Sequence, residues 1–402
     1  MTEPKTLQTS RGTAVVQVDA AALPPLIEIA PHYSRAFVLF RWRGVPVGHA
    51  TIPVRDGSIR SEVLVNALVS CAATRIAECR VAAYLETEGP SGVREHEPAK
   101  TFCTIAVCTR DRPDDLSRCL TAIGAMPNDG QEVLVVDSAS TGSATRDVVR
   151  GYSGVRYVRE DRAGANVARN RAMQEARGDI VAFCDDDAAP DPRWLRALAA
   201  NFGATRTLCV TGLTLPRELE TPAQEWFERT NSFSRGYSHA VFDGVTCDPF
   251  FVARVGASVN MALRRIVPDL IGPFDEALGP GTLTRSGDDH DMFTRILAAG
   301  YCIVYEPRAL SWHRHRREWA ELTAAGYGYG VGVYAYLTKQ LLAGEWRAPV
   351  VALRWLPHQL RGLARGVRGR DGGVPRSLAF AELRGCLAGS AAYLRSRRKS
   401  RA

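Results

Sequence analysis

The stretch Ile180-Val181-Ala182-Phe183-Cys184-Asp185-Asp186-Asp187 decides the fold. Its apolar residues predict a short buried strand, and three adjacent carboxylates follow at the carboxyl end of that strand. Adjacent carboxylates repel one another, and hard divalent cations such as Mg²⁺ take carboxylate oxygens as ligands. Two interpretations of this stretch stay open: a metal site, and an acidic turn with Asp191 as N-cap and Pro192 at the first position of a helix.

The strand before the three aspartates is one of a series in which strands alternate with helices. Strands are predicted over residues 104–108, 132–136, 155–158 and 180–184, with helices over 114–126, 143–151 and 165–177 between them. Strands that are apolar throughout and alternate with helices indicate an α/β fold: a mixed, mostly parallel sheet with helices on both faces. Polar residues follow the first, second and fourth strands, so we expect Thr109 to Asp111, Asp137 and the three aspartates to lie at one edge of this sheet.

The chain outside this region predicts two further parts. Residues 1–98 read as a small α+β accessory domain with strands near 14–18 and 36–42 and a helix over 60–86, and the polar residues 87–100 read as a linker. Residues 101–320 form the predicted α/β domain. Residues 321–402 form a basic, helical C-terminal extension, and its interleaved leucines and arginines suit either packing on the protein or peripheral contact with a membrane.

A second acidic cluster opens another predicted helix, which ends at Gly300. Because each residue of a helix advances by about 100°, Asp289 shares the direction of the apolar residues Met292 to Leu297, Asp288 lies toward one rim and Asp291 points away. The helix dipole alone favours acids at this end. An inward-facing Asp289 needs a further reason, and acting as a general base toward a hydroxyl is the obvious one.

Bulk composition excludes several classes of protein. The 402 residues carry a net charge of +8 and 46% apolar residues, with no apolar run long enough to cross a membrane and no visible signal peptide. The ten cysteines form no CxxC pair, which predicts buried thiols in a reducing compartment and no structural zinc site. We expect a cytoplasmic protein, with peripheral contact at the inner face of the cell membrane left open. No nucleic-acid-binding module accompanies the positive charge, so nucleic acid is not an expected partner.

Residues 101–320 resemble the catalytic domain of glycosyltransferase family 2, which has the GT-A fold. The matching pieces are Val107-Cys108-Thr109-Arg110-Asp111-Arg112, Val135-Val136-Asp137-Ser138-Ala139-Ser140, Gly164-Ala165-Asn166-Val167-Ala168-Arg169-Asn170, Phe183-Cys184-Asp185-Asp186-Asp187, Gly272-Pro273-Phe274-Asp275-Glu276, Gly287-Asp288-Asp289-His290-Asp291-Met292 and Tyr305-Glu306-Pro307 through Trp312-His313. Their order and spacing together carry the resemblance.

The resemblance implies a role for each matching site residue. Asp137 would read the nucleotide base, and Thr109, Arg110, Asp111 and Arg169 would also line the nucleotide-sugar site. Asp185 and Asp187 match the outer members of the DxD motif. Asp187 would hold Mn²⁺ or Mg²⁺, with support from Asp185 and with His313 as a further ligand, and Asp186 would lie near the ribose. Asp289 would be the catalytic base, and Asp288 stands where the family has a glutamate, so that Asp288 is a second candidate.

The implied reaction is an inverting transfer of a sugar from a UDP-, dTDP- or GDP-sugar to a hydroxyl acceptor, which could be a glycan, a lipid-linked compound or a small molecule. A nucleotidyltransferase also uses paired aspartates, but it would favour a phosphate loop with Gly and Lys after the first strand, and residues 109–113 have neither. A non-catalytic sugar- or nucleotide-binding protein that retains the fold is the other alternative. Loss of the DxD aspartates or of Asp289 would mark that alternative, and both are present.

Overall fold

A computed structural model describes residues 12–87, 101–355, 357 and 376–401. The chain divides into two compact units. The first comprises Met1–Pro98, Thr214–Ser238 and Trp312–Glu318, and the second comprises Ala99–Leu213, His239–Ser311 and Trp319–Ala402. The first unit therefore adds two short segments to the predicted N-terminal domain. The predicted linker over residues 87–100 lies almost wholly outside the described residues.

The first unit contains a three-stranded sheet and a long helix. Its elements are β1 (Thr13–Asp19), β2 (Leu26–Glu28), β3 (Arg35–Trp42), β4 (Val45–Pro53), β5 (Ser58–Arg60) and α1 (Ser61–Thr87). Strand β3 lies between β1, to which it is parallel, and β4, to which it is antiparallel. The predicted strands and helix of this region are confirmed.

The second unit is built around the central sheet. Its first part runs through β6 (Cys103–Thr109), α2 (Pro113–Gly124), β7 (Glu132–Ser138), α3 (Ala144–Arg150), β8 (Val155–Glu160), α4 (Ala165–Glu175), β9 (Ile180–Asp185), β10 (Ala188–Pro190) and α5 (Trp194–Ala199). The chain continues through β11 (Thr207–Pro216), α6 (Pro222–Asn231), β12 (Ala240–Phe242), β13 (Asn260–Arg264), α7 (Val267–Ile271), α8 (Asp288–Ala298) and β14 (Cys302–His313). The ends of β11 and β14 and the whole of α6 belong to the first unit.

The strand order of the central sheet is β10-β14-β11-β13-β9-β6-β7-β8, and β12 pairs with β14. Strands β8, β7, β6 and β9 are mutually parallel, and β13 runs antiparallel to both β9 and β11. Alternate residues of the parallel strands enter two separate cores. Ala106, Val136 and Phe183 pack with residues of α4 and α8, whereas Val107, Val135 and Ala182 pack with α2 and α5. The predicted α/β class, with a mostly parallel sheet covered on both faces, is confirmed.

Of the two interpretations of the stretch after β9, the one with Asp191 as a helix cap was wrong. Asp191 does not cap a helix, because Ala188–Pro190 forms a strand and α5 begins at Trp194 after Arg193, whose backbone N–H Asp191 accepts at 3.1 Å. Helix α6 begins after Thr221, which forms a capping box with Gln224. The sequence Thr221-Pro222-Ala223-Gln224 has the pattern of this capping box.

Two long helices, α9 (Trp319–Leu342) and α10 (Arg376–Arg401), pack tightly against each other. A Cβ atom at Gly330 would lie 2.1 Å from the carbonyl oxygen of Glu382, and one at Gly385 would lie 2.1 Å from that of Tyr327. The glycines of α9, which weaken an isolated helix, thus permit a close approach of two backbones. Residues 356 and 358–375 of the predicted basic C-terminal extension lie outside the described residues. Among those that are described, no helix is both long and apolar enough to cross a membrane.

Candidate active site

The carboxyl ends of three parallel strands bring the predicted site residues of the central sheet together. In the register of the sheet, Thr109 at the end of β6 pairs with Asp137 at the end of β7. On the other side of β6, Cys108 pairs with Asp185 at the end of β9. The convergence expected from the βαβ pattern is therefore present in the structure, and the strand ends form one polar edge.

Asp186 points into this edge and is buried. Its carboxylate accepts hydrogen bonds from the Thr109 hydroxyl at 2.8 Å and from Arg112 Nη1 at 2.7 Å. Burial raises the pKa of Asp186 to about 7, although Arg112 and Thr109 act in the opposite direction. The expected position near a ribose stays a prediction, and the observed partners are a hydroxyl and a guanidinium.

Arg112 was not among the predicted site residues, yet it contacts two of the three aspartates. Its Nη1 lies 2.7 Å from Asp186 Oδ1 and 3.0 Å from Asp187 Oδ2. A nearby cation reduces the electrostatic repulsion between three adjacent carboxylates. Arg112 follows the end of β6 and precedes the proline that opens α2. This position in the sequence indicates that Arg112 lies near the polar edge of the sheet.

The two predicted residues before Arg112 take other positions. Asp111, with a φ of 54°, accepts hydrogen bonds from the Thr141 backbone N–H at 2.7 Å and from the Thr141 hydroxyl at 3.0 Å, which tie the loop after β6 to the loop after β7. Hydrogen bonds from Thr141 lower the pKa of Asp111. Arg110 is half-exposed, with its Nε 3.7 Å from Asp111 Oδ2. Their roles in the nucleotide-sugar site stay predictions.

Asp137 is enclosed by its own hydrogen bonds. Its carboxylate accepts the Ser140 backbone N–H at 3.0 Å, the Tyr157 hydroxyl at 2.7 Å and Arg159 Nη1 at 3.4 Å. Beside it lies a cavity of about 400 Å³ that is lined by Ser140, Thr141, Gly142, Ser143, Arg146, Tyr157 and Arg159. This volume is in the range of small-molecule sites. The base-reading role of Asp137 stays a prediction, and Tyr157 and Arg159 are the side chains that hold its carboxylate.

One group of His, Cys, Asp or Glu side chains in the described part of the chain has the spacing of a metal site. Asp185 and Asp187 each offer one ligand atom, and these two atoms lie within 4.8 Å of each other. Two carboxylates suit a hard divalent cation such as Mn²⁺ or Mg²⁺. Both residues were predicted as metal ligands and fit such an ion, and the role of His313, which belongs to the first unit, stays a prediction.

The order of burial among the three acidic residues of helix α8 differs from the predicted order. Asp291 is buried and forms ion pairs with Lys339 at 2.7 Å and with Arg295 at 2.8 Å. Asp288 is buried against Arg169. Asp289 is the most open, with 22% of its side chain exposed. The prediction that Asp291 points away from the interior was wrong, because α9 covers that side of the helix with Lys339 and Gln340.

The carboxylate of Asp289 has one oxygen engaged and one open. Oδ1 accepts the backbone N–H of His290 at 2.8 Å and lies 3.0 Å from His290 Nδ1. Oδ2 makes no hydrogen bond with any residue in the described ranges. Burial tends to raise the pKa of Asp289, but the contacts with His290 prevail and lower it to about 2. An ionised carboxylate with one open oxygen has the properties of a proton acceptor.

Arg169 joins the two acidic clusters. Its Nη1 donates to Asp288 and to Asn166 Oδ1, and its Nη2 lies 3.3 Å from the Ser258 hydroxyl. Its charge also interacts with that of Asp185. The guanidinium is buried, so its predicted place in the nucleotide-sugar site stays a prediction, and its observed partners are protein groups.

Comparisons with known proteins concern the family and the fold. Residues 104–260 match the family described as Glycosyl transferase family 2. The chain is similar to the glycosyltransferase AglE of Haloferax volcanii, with 25% identity over 241 residues that cover 58% of this chain and 72% of that protein. It is also similar to the pre-mycofactocin glycosyltransferase of Mycobacterium tuberculosis, with 27% identity over 60% of this chain and 47% of that protein.

Among solved structures, the fold is similar to that of the mannosyltransferase PcManGT from Pyrobaculum calidifontis, determined in complex with GDP-Man and Mn²⁺. The TM-score is 0.50 and the identity 19%, over 81% of this chain and 93% of that one. This likeness supports the fold. The family match therefore covers residues 104–260, and the fold around them is of the GT-A type.

Proposed function

We propose that the protein is a metal-dependent, inverting glycosyltransferase that transfers a sugar from a UDP-, dTDP- or GDP-sugar to a hydroxyl acceptor. The observation that carries the proposal is the pair formed by Asp185 and Asp187, whose ligand atoms lie within 4.8 Å of each other at the polar edge of the sheet. His313 is proposed as a further ligand. The solved mannosyltransferase of similar fold binds a nucleotide sugar together with Mn²⁺. A nucleoside diphosphate held at this edge would place its phosphates beside the metal ligands.

In this proposal Asp289 is the general base. Its open oxygen accepts the proton of the acceptor hydroxyl while the hydroxyl oxygen attacks the anomeric carbon and the bond to the nucleoside diphosphate breaks. Attack from the face opposite the leaving group inverts the anomeric configuration. When bound, Mn²⁺ or Mg²⁺ supplies positive charge that stabilises the leaving diphosphate. Asp288 is the second candidate from the sequence, but its pairing with Arg169 leaves it less suited to accept a proton.

Arg112 is the protein's own cation at this edge. It neutralises part of the charge on Asp186 and Asp187, which lie 2.7 Å and 3.0 Å away. Its guanidinium is half-exposed and planar, which suits bidentate binding of phosphate oxygens. We therefore include Arg112, with Thr109, among the side chains that would bind the donor diphosphate.

A screen of UDP-, dTDP- and GDP-sugars with Mn²⁺, read by thermal unfolding of the full chain, tests the proposal. A ligand raises stability by RT ln(1 + [L]/Kd), so the correct donor shifts the transition upward and EDTA removes the shift. The same nucleotide sugars added without Mn²⁺ serve as the control. If no nucleotide sugar shifts the transition at concentrations far above the millimolar range, the proposed donor site is wrong.

A further inference from the structure

Helix α10 carries an exposed apolar stripe that the transferase fold does not explain. Phe380, Leu387 and Leu394 have exposed fractions of 43%, 81% and 45%. They are seven residues apart, and at about 100° per residue all three lie within about 20° of the direction of Leu387. The stripe therefore extends over four turns of one helix face, and each of its side chains is presented to solvent.

The opposite face of the same helix is already packed. Gly385 and Gly389 lie so close to α9 that a Cβ atom would come within 2.1 Å and 2.5 Å of its atoms, and Tyr393 is buried with its hydroxyl 3.1 Å from Asp275. The helix is therefore held in place without its exposed stripe. Contact of three large apolar side chains with water is unfavourable, and their transfer to an apolar environment lowers the free energy.

The charges on α10 select the kind of surface that would cover the stripe. The helix contains seven basic residues and a single acidic one, Glu382. Arg384 and Arg398 lie within about 60° of Leu387, whereas Glu382 lies about 140° away. Two copies of this face would bring arginines against arginines, so the charges disfavour a second copy of the chain. They complement an anionic surface.

We propose that this face of α10 docks on an anionic lipid bilayer, with the helix parallel to the surface. Phe380, Leu387 and Leu394 enter the boundary between headgroups and acyl chains, while Arg384 and Arg398 contact the lipid phosphates. A helix with an apolar stripe flanked by arginines has the pattern of interfacial helices, and each basic residue near an anionic leaflet strengthens binding about fivefold. This inference does not depend on the donor or on the transfer reaction.

Vesicle cosedimentation of the full chain tests the proposal. Wild-type protein should bind vesicles of phosphatidylcholine with about 30% phosphatidylserine and should be released by high salt, because screened charges attract weakly. It should bind pure phosphatidylcholine at least tenfold more weakly. Arg398→Ser should weaken binding to the anionic vesicles about fivefold, and Leu387→Ser about tenfold from the lost apolar contact.

Matched control variants lie on exposed parts of other helices. Leu270→Ser in α7 and Arg150→Ser in α3 alter exposed side chains of the same two types and should bind as wild type. All variants should unfold at the wild-type temperature, since each altered side chain is exposed. Absence of binding to anionic vesicles, or equal binding by Leu387→Ser and wild type, overturns the proposal. A concentration-dependent dimer that Leu387→Ser dissociates, without vesicle binding, assigns the face to a second copy and also overturns it.

Discussion

Replacing Arg169 with methionine should lower the free energy of unfolding by about 3–5 kcal/mol, because it leaves the Asp288 carboxylate buried without its partner. The side chains of Arg169 and Asp288 are only 7% and 5% exposed. Arg169 also donates to Asn166 at 3.1 Å and reaches Ser258 at 3.3 Å, so the pair is part of a network between α4 and α8.

A second estimate of the cost follows from protonation. Burial raises the pKa of Asp288, and the charge of Arg169 acts in the opposite direction. Without Arg169, the buried carboxyl group escapes its unfavourable charge by taking up a proton. Doing so at pH 7 costs about 4 kcal/mol for a carboxyl group whose unfolded pKa is about 4. This cost of about 4 kcal/mol lies within the expected range of 3–5 kcal/mol.

Urea unfolding of Arg169→Met, Asp288→Leu and the double variant measures this quantity. Each single variant should lose about 3–5 kcal/mol, and the double variant should lose at least 2 kcal/mol less than the two losses together, since it removes both buried charges. Arg150→Met, which breaks the exposed pair with Asp147, is the control and should change stability by less than about 1 kcal/mol. Additive losses, or a loss below 1 kcal/mol for Arg169→Met, would refute the assignment of Asp288 to this structural pair.

Three further predictions concern packing, pH and metal. Gly330→Ala should destabilise the protein by about 1–3 kcal/mol in urea unfolding, because its Cβ atom would meet a backbone oxygen at 2.1 Å, whereas Gly203→Ala, with open space around it, should be nearly neutral. Burial lowers the pKa of His49 below its usual 6.5, so the folded state takes up its proton less readily than the unfolded state. Stability should therefore fall as the pH drops below about 6.5, and His49→Gln should reduce this loss between pH 7.5 and 5.5. Asp187→Ala should abolish Mn²⁺ binding in calorimetry, and an unchanged affinity would remove Asp187 from the metal ligands.

The sequence predicted the parallel part of the sheet well. Strands β6, β7, β8 and β9 lie within two residues of their predicted ends, because each combines an apolar run with a clear turn or helix signal. The convergence of Thr109, Asp137 and Asp185 followed directly from that order. These signals are local, and the topology of parallel βαβ units converts them into positions at one edge of the sheet.

Positions set by distant segments could not be predicted in the same way. The burial of Asp291 depends on Lys339, which lies on a helix that begins some thirty residues later. A helical-wheel projection of α8 shows the directions of its own side chains, but it does not show that α9 covers a second side of α8. The contact of Arg112 with Asp186 likewise depends on how α2 follows β6, although the need for a cation near the three aspartates was visible.

The transfer rate of Asp289→Asn tests the central claim most directly. The variant keeps the size of the side chain but loses the charge that accepts a proton, so turnover should fall by about 10²–10⁴-fold. The affinity for the nucleotide with Mn²⁺ should stay unchanged, since Asp289 is not among the proposed metal ligands. Asp161→Asn, at a side chain that is 88% exposed, is the matched control and should retain full activity. Turnover of Asp289→Asn within threefold of wild type would contradict the account.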